Sequence, residues 1–315
     1  MNVSVRLIPA AIVAALLAAC SGGNSGSPSI PQSSIPQAKP QQPSVNAFSV
    51  VEDGVAIPGT HIYPSRENTG VIAMAHGGGS TAAGNLIYGG GPVQRNAKVY
   101  LVLWKFGSND PYGEQARLTS FIQGLGGSQW ASSQTQYYDN TGNIANDLAY
   151  GGSWNDNTNS IPSRPSQSAV AAEAARAAAH FGDYSVNAMY FIALEKGHDP
   201  SGFKTQWCAF HSTTSANGST IAYTDFPYTT DAGTSCGSNS VNAGSAGTSD
   251  GVTIVGGHEI YESVTDPHPS SGWVDSSGAE NGDKCAWKSL QNTSFSTGTF
   301  PTQPLWSNSA GGCVQ

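Results

Sequence analysis

The chain has 315 residues, with 13 Lys or Arg against 21 Asp or Glu and a formal net charge of −8. That acidic balance, in a chain only 11% charged, excludes a surface built to bind nucleic acid or anionic lipid. Its 38 glycines and many Ser, Thr and Asn suit a loop-rich exported protein.

At the N-terminus, Arg6 precedes an apolar run from Leu7 to Ala19. The run is too short to cross a bilayer as a helix and ends in small residues, as an export signal does. Leu17-Ala18-Ala19-Cys20 resembles the lipobox of bacterial lipoproteins. The resemblance implies removal of residues 1–19, acylation of Cys20 and a lipid anchor in a bacterial membrane, at the cell surface or in the periplasm. Residues 20–45 are rich in Ser, Pro and Gln with one charge, Lys39, and read as a flexible stalk. Residues 46–315 contain no second linker and read as one domain.

Lys98 to Phe106 and Ala188 to Leu194 are nearly continuous apolar runs, predicted as buried strands. Between them, Leu118, Phe121, Ile122 and Leu125 recur at helical spacing, and residues 166–181 form a Ser-capped, Gly-terminated helix pattern. Residues 212–249 read as turns with a short strand near Ile221 to Tyr223. The expected class is α/β, or mixed α+β, with a mixed central sheet flanked by helices. Cys208, Cys236, Cys285 and Cys313 remain after Cys20 and read as two disulfides. Three pairings exist; the sequence-local one, Cys208 with Cys236 and Cys285 with Cys313, is favoured.

The most informative segment is Gly257 to Pro267. On a helix, His258, Glu259, Glu262 and Asp266 fall within about 100° of arc. Carboxylates three and four apart repel one another, by roughly 0.2–0.5 kcal/mol per pair, so a cation is expected beside them. His258-Glu259-x-x-Glu262 is a relative of the zincin helix motif with Glu in place of the second His. His258 and Glu262 are candidate metal ligands, Glu259 the candidate general base, and the loop from Trp273 to Asp283 offers Asp275, Glu280 and Asp283 to complete the shell, with Glu280 and Asp283 preferred. His211, three residues after Cys208, is a candidate fourth ligand or oxyanion donor. The expected ion is Zn²⁺, with Ca²⁺ as the alternative if carboxylates dominate; a hydrogen-bonded acidic face without metal is the third reading. Gly256 and Gly257 imply either a helix that starts late or a close approach by another group.

A serine esterase is a competing reading. His76-Gly77-Gly78-Gly79 looks like an oxyanion loop, and Ser235 and Ser249 each lie in a Gly-x-Ser-x-Gly pattern, but neither follows a convincing strand.

Several blocks in order resemble the EXORDIUM-like, or phosphate-induced, proteins of plants and their secreted bacterial relatives. They are Gly90-Gly91-Pro92-Val93 leading to Trp104; Ser128-Gln129-Trp130 with Tyr137-Tyr138; Cys208-Ala209-Phe210-His211; His258-Glu259-x-x-Glu262; Gly272-Trp273-Val274-Asp275; and Glu280-Asn281-Gly282-Asp283-Lys284-Cys285. The resemblance implies an exported, wall- or growth-associated protein and no settled reaction. Plant members have Asn at the position of Asp266. Three function classes follow: a metal-dependent hydrolase of extracellular peptide or protein, a surface protein holding polysaccharide through Trp104, Trp130, Trp207 and Trp273, and a structural or signalling surface protein.

Overall fold

The computed structural model describes residues 51–52, 55–56, 60–67, 84–107 and 109–315; the export signal, Cys20, the stalk and the His76 run lie outside the described residues. Six strands form the main sheet: β1 (Thr60–Pro64), β2 (Lys98–Trp104), β3 (Ala149–Asp156), β4 (Ala188–Leu194), β5 (Trp207–Ala216) and β6 (Ser219–Phe226). Their spatial order is β1-β5-β6-β4-β2-β3. The four strands from β6 to β3 are parallel, while β5 runs antiparallel to both of its neighbours. With its small accessory hairpins the domain is mixed α+β around a mixed sheet.

The two apolar runs are β2 and β4, neighbours in the parallel part of the sheet, and every residue of β4 is buried. Parallel neighbours need a crossover, and helices α1 (Glu114–Leu125) and α3 (Gln167–Phe181) supply it, with the short α2 (Gln129–Ser132) between them. The Ser166 side chain caps α3 by accepting from the Ala169 N–H, and Gly182 closes it in the left-handed conformation at φ 69°.

The expectation of turns over 212–249 is corrected at its start. Residues 207–226 form the long hairpin β5–β6, joined by Asn217-Gly218, both at positive φ (48° and 76°). Asn-Gly is the strongest short hairpin signal, because both residues tolerate the left-handed backbone of the tight turn.

Helix α4 (Asp250–Thr265) follows, and all 16 of its residues are buried. A helix buried on every side is a core element rather than a surface one. On β5, His211 faces Glu259 of α4 while the next residue, Ser212, accepts a hydrogen bond from Gln167 of α3. Successive strand residues point to opposite faces, so α3 and α4 lie on opposite sides of the sheet. The hairpin of β7 (Gln291–Phe295) and β8 (Gly298–Thr302) covers α4, with the Thr253 hydroxyl donating to the Pro301 carbonyl at 2.6 Å. The last hairpin, β9 (Leu305–Ser307) with β10 (Gly312–Val314), carries Cys313.

The cysteines pair as Cys208–Cys236 and Cys285–Cys313. Two disulfides in one domain mark a protein of an oxidising compartment.

Both expectations for the α4 glycines are now resolved. The helix runs through them. A Cβ on Gly256 would meet only ordinary contacts, the nearest being Leu118 at 3.5 Å, whereas one on Gly257 would press on Phe121 and Trp130 at 3.0 Å. One on Gly251 would overlap the Cys236 carbonyl oxygen at 1.8 Å. Gly256→Ala is therefore expected to raise stability by up to about 1 kcal/mol through helix propensity. Gly251→Ala should lower it by more than about 2 kcal/mol, because backbone must move. Urea denaturation of the two variants measures the opposite signs.

Glu114 ties α1 to the segment entering α4: its carboxylate accepts from the Thr230 N–H at 2.9 Å and the Thr229 N–H at 3.3 Å. Burial pushes its pKa up to about 8, against the pull of those backbone donors. The folded chain thus holds this proton to higher pH than the unfolded chain, whose value is 4.5. The associated stability is complete below the unfolded value and is lost as the pH rises through the folded one. Glu114→Gln should flatten the fall in melting temperature over that pH window.

Candidate metal centre

Three elements converge beneath α4. The helix projects His258, Glu259 and Glu262; β5 contributes His211; and the loop between Asp275 and Cys285 contributes Glu280 and Asp283. His211, His258, Glu259, Glu262 and Glu280 are all fully buried. The sequence therefore proposed six candidate side chains, and the fold brings all six together.

The loop is held against the helix by main-chain bonds. The Asp283 N–H donates to Glu262 Oε1 at 2.9 Å, and Gln303 Nε2 donates to the Gly282 carbonyl at 2.9 Å. Gly282 makes this approach feasible, since a Cβ there would sit 2.6 Å from His258 Nδ1 and 2.9 Å from Glu262 Oε1. The Cys285–Cys313 bridge pins the far end of the loop.

The donors sort into two sets that share Glu262: His258, Glu262 and Asp283, and His211, Glu259 and Glu262, each with ligand atoms within 4.8 Å of one another. In the first set, His258 Nε2 lies 2.8 Å from Glu262 Oε1 and 3.8 Å from Asp283 Oδ1. In the second, His211 Nδ1 lies 3.4 Å from Glu259 Oε2 and 3.6 Å from Glu262 Oε2. Ligands about 2.0–2.1 Å from a tetrahedral ion stand roughly 3.3–3.4 Å apart; the second set lies close to that spacing, and the first falls on either side of it. Glu280 falls to the His211 side, its Oε2 lying 3.5 Å from His211 Nε2, and not beside His258 and Asp283.

His258 Nε2 is buried and makes no hydrogen bond, despite the Glu262 oxygen 2.8 Å away. The two atoms are close but misaligned for donation, as two ligands converging on a third point would be. Its other nitrogen faces Gln303, whose amide is oriented by the Tyr63 hydroxyl donating to Oε1 at 2.9 Å and by the Gly282 carbonyl. The Gln303 Nε2 hydrogens therefore point at His258 Nδ1, 3.1 Å away. In a neutral ring this places the proton on Nε2, where a cation would sit.

Burial alone would lower the pKa of His211, but Glu280, Glu259 and Glu262 outweigh it and hold the ring well above the ordinary imidazole value. His258 is raised in the same way by Glu262, Glu259 and Asp283. Burial raises Glu259, while His211 and His258 pull it down. Four carboxylates and two imidazoles are thus packed together away from water. Uncompensated buried charge is costly, and a divalent cation offsets it.

Two other candidate carboxylates are occupied by structure. Asp266 accepts from the N–H groups of Ser270, Ser271 and Gly272 at 2.6–3.1 Å and organises the turn after α4, while burial and the neighbouring Glu280 hold its carboxyl well above the usual carboxylate range at the border of the cluster. Asp275 accepts from Ser277 and Ala279 and pairs with Lys284 Nζ at 2.9 Å. The esterase serines are also placed elsewhere: Ser235 Oγ donates to Glu67 and Ser249 Oγ to the Tyr112 carbonyl. Ser235 lies within a 3-10 turn and Ser249 follows one, neither following a strand, so the elbow geometry is absent at these serines. Trp104, Trp130, Trp207 and Trp273, expected at a polysaccharide-binding face, are instead buried in the core. Large aromatic area is worth more inside the sheet layers than at the surface.

Comparisons with known protein families, with characterised proteins and with solved structures find no match for this chain.

Sequence reasoning did not single out Tyr63 and Gln303, which carry the hydrogen-bond chain to His258. Neither lies near the motif in sequence, and only the fold brings them there. Gly282 was legible as part of a block but not as the contact that lets the loop close. Gly282→Ala should cost on the order of 1–3 kcal/mol, since His258 and Glu262 must shift. Chemical denaturation reads the loss, and the same variant should take up less metal.

Proposed function

We propose that the cluster binds a divalent metal ion, with Zn²⁺ the best fit and Ca²⁺ the alternative, and that the protein is an exported metal-dependent hydrolase of peptide or ester bonds. The observation that carries this reading is His258 Nε2, a buried ring nitrogen without a hydrogen bond, converging with Glu262 and Asp283.

A bound divalent ion would supply the positive charge that acidifies a water molecule near neutral pH and polarises a carbonyl. His258, Glu262 and Asp283 would hold it. Glu259, next to His258 on the helix and 3.4 Å from His211 Nδ1, is the base that accepts the proton of the attacking water. His211, kept protonated by its carboxylate neighbours, is the donor available to charge developing on the substrate oxygen. The export signal and Cys20 support a lipid-anchored protein held outside the cytoplasmic membrane by the stalk, and the ordered blocks support an EXORDIUM-like relationship.

One observation favours a second reading, a non-catalytic surface protein with a structural ion: the cluster is closed to solvent, as structural metal sites are.

Metal analysis of the purified chain separates these readings from a metal-free one. His258→Ala and Glu262→Ala should each lose bound metal. Glu259→Gln should keep the metal and lower hydrolysis by about 10²–10⁴-fold, because an amide accepts no proton. Stoichiometric metal without turnover on a broad peptide panel would leave the structural-ion reading standing, and no metal at all would overturn both.

A further inference from the structure

The cluster is closed, so a substrate can reach it only where an element of the fold can leave. The sheet edge is that place. β1 is five residues long and, among the described residues, lies at the end of the sheet and pairs only with β5, the strand that carries His211. Over the cluster it sets Tyr63, whose ring meets the His258 ring edge-on at 4.2 Å and lies 4.7 Å from Trp287. The β5 residue opposite Tyr63 is Ala209, and opposite residues share a face, so the ring fills space that a small neighbour leaves.

Most of the remaining contacts are made by main chain. The Pro64 carbonyl accepts from Trp287 Nε1 at 2.9 Å, the Ser65 N–H donates to the Gln206 carbonyl at 3.1 Å, and the Arg66 N–H donates to the Ser235 carbonyl at 3.0 Å. This is the pattern of a strand added to a sheet edge, in which backbone bonds give affinity and pockets for alternate side chains give specificity. Any extended segment can make the backbone bonds. The Tyr63 pocket selects an aromatic side chain with a hydrogen-bonding tip, because its floor is the Gln303 amide.

We propose that β1 occupies the protein's own substrate groove: the substrate is an extended peptide that adds antiparallel to β5 with a tyrosine-like side chain in the Tyr63 pocket, and the full chain is self-blocked. This deepens the peptide-hydrolase reading and rests on it. It also reconciles a closed site with catalytic residues, since displacement of one edge strand uncovers His258 and His211 together.

The test reads peptide binding by metal-free, full-length protein, so it is independent of whether metal or turnover is found. The probe is a fluorescein-labelled peptide with the sequence of residues 58–66, followed by anisotropy. In the wild type a tethered strand competes at an effective concentration of ~1 mM, so a peptide whose Kd for the vacated edge is ~10 µM is expected to bind on the order of 100-fold more weakly than to a chain whose own strand is disabled. Ile62→Asp with Tyr63→Ser disables it while leaving the proposed metal ligands intact. The double variant should bind the peptide, and a peptide with Ala in place of its Tyr should bind at least about tenfold more weakly. If the double variant does not melt cooperatively, Tyr63→Ala alone is measured, with the same direction expected. The proposal is overturned if the folded variant binds no peptide, if the wild type binds as well as the variant, or if the Ala-substituted peptide binds equally. Metal analysis and turnover, measured separately, then decide the hydrolase reading on their own.

Discussion

The structure turns on the burial of carboxylates beside two imidazoles under α4. Glu259, Glu262, Glu280 and Asp283 have their ion pairs with His211 and His258, and none of these groups keeps contact with bulk water. In such a medium each charge is strongly coupled to its neighbours, and no single protonation state satisfies all of them. A folded domain does not gather this much negative charge for stability, because apolar residues of the same volume would serve at least as well.

Much of the remaining architecture is explained as support for that arrangement. α4 is buried on every side, so its polar face cannot relax towards solvent and must be met by other elements. The sheet meets it through His211, the disulfide-pinned loop through Glu280 and Asp283, and the covering hairpins through Gln303. Each disulfide closes a segment that carries one of these contacts: Cys208–Cys236 encloses His211, and Cys285–Cys313 encloses Gln303 while anchoring the loop just past Asp283. Cross-links of about 30 residues limit the unfolded chain by roughly 2–4 kcal/mol each, which helps offset the cost of ordering so many polar groups.

The placement of β1 separates the site from the scaffold. The strands β2 and β4 are paired on both sides within the parallel layer, and β6 lies between that layer and β5, whereas β1 is bound, among the described residues, along one edge. Edge strands open more readily than central ones because fewer contacts must break. A closed site behind an edge strand is therefore compatible with function in a way that a site behind a central strand would not be.

How much of this could be read from the chain follows from the range of the interactions. β2, β4, α1 and α3 were legible because periodicity and capping act within a few residues, as at Ser166 and Gly182. The disulfide pairing agreed with the sequence-local choice; five of the candidate residues stood out because like charges on one helical arc and a carboxylate-rich loop demand a partner, and His211 because it follows Cys208 by three residues. The β5–β6 hairpin was underestimated although Asn217-Gly218 announced it, since polar Ser/Thr strands lack the apolar signal that marks a core. Only tertiary structure decided that Glu280 sits with His211 and Asp283 with His258, that Asp266 and Asp275 are consumed by loop hydrogen bonds, and that the four tryptophans are core. It alone placed Tyr63 and Gln303, 240 residues apart, against the same imidazole. Hydrogen-bond direction and close packing are fixed by distances between segments far apart in sequence, and no local pattern encodes them.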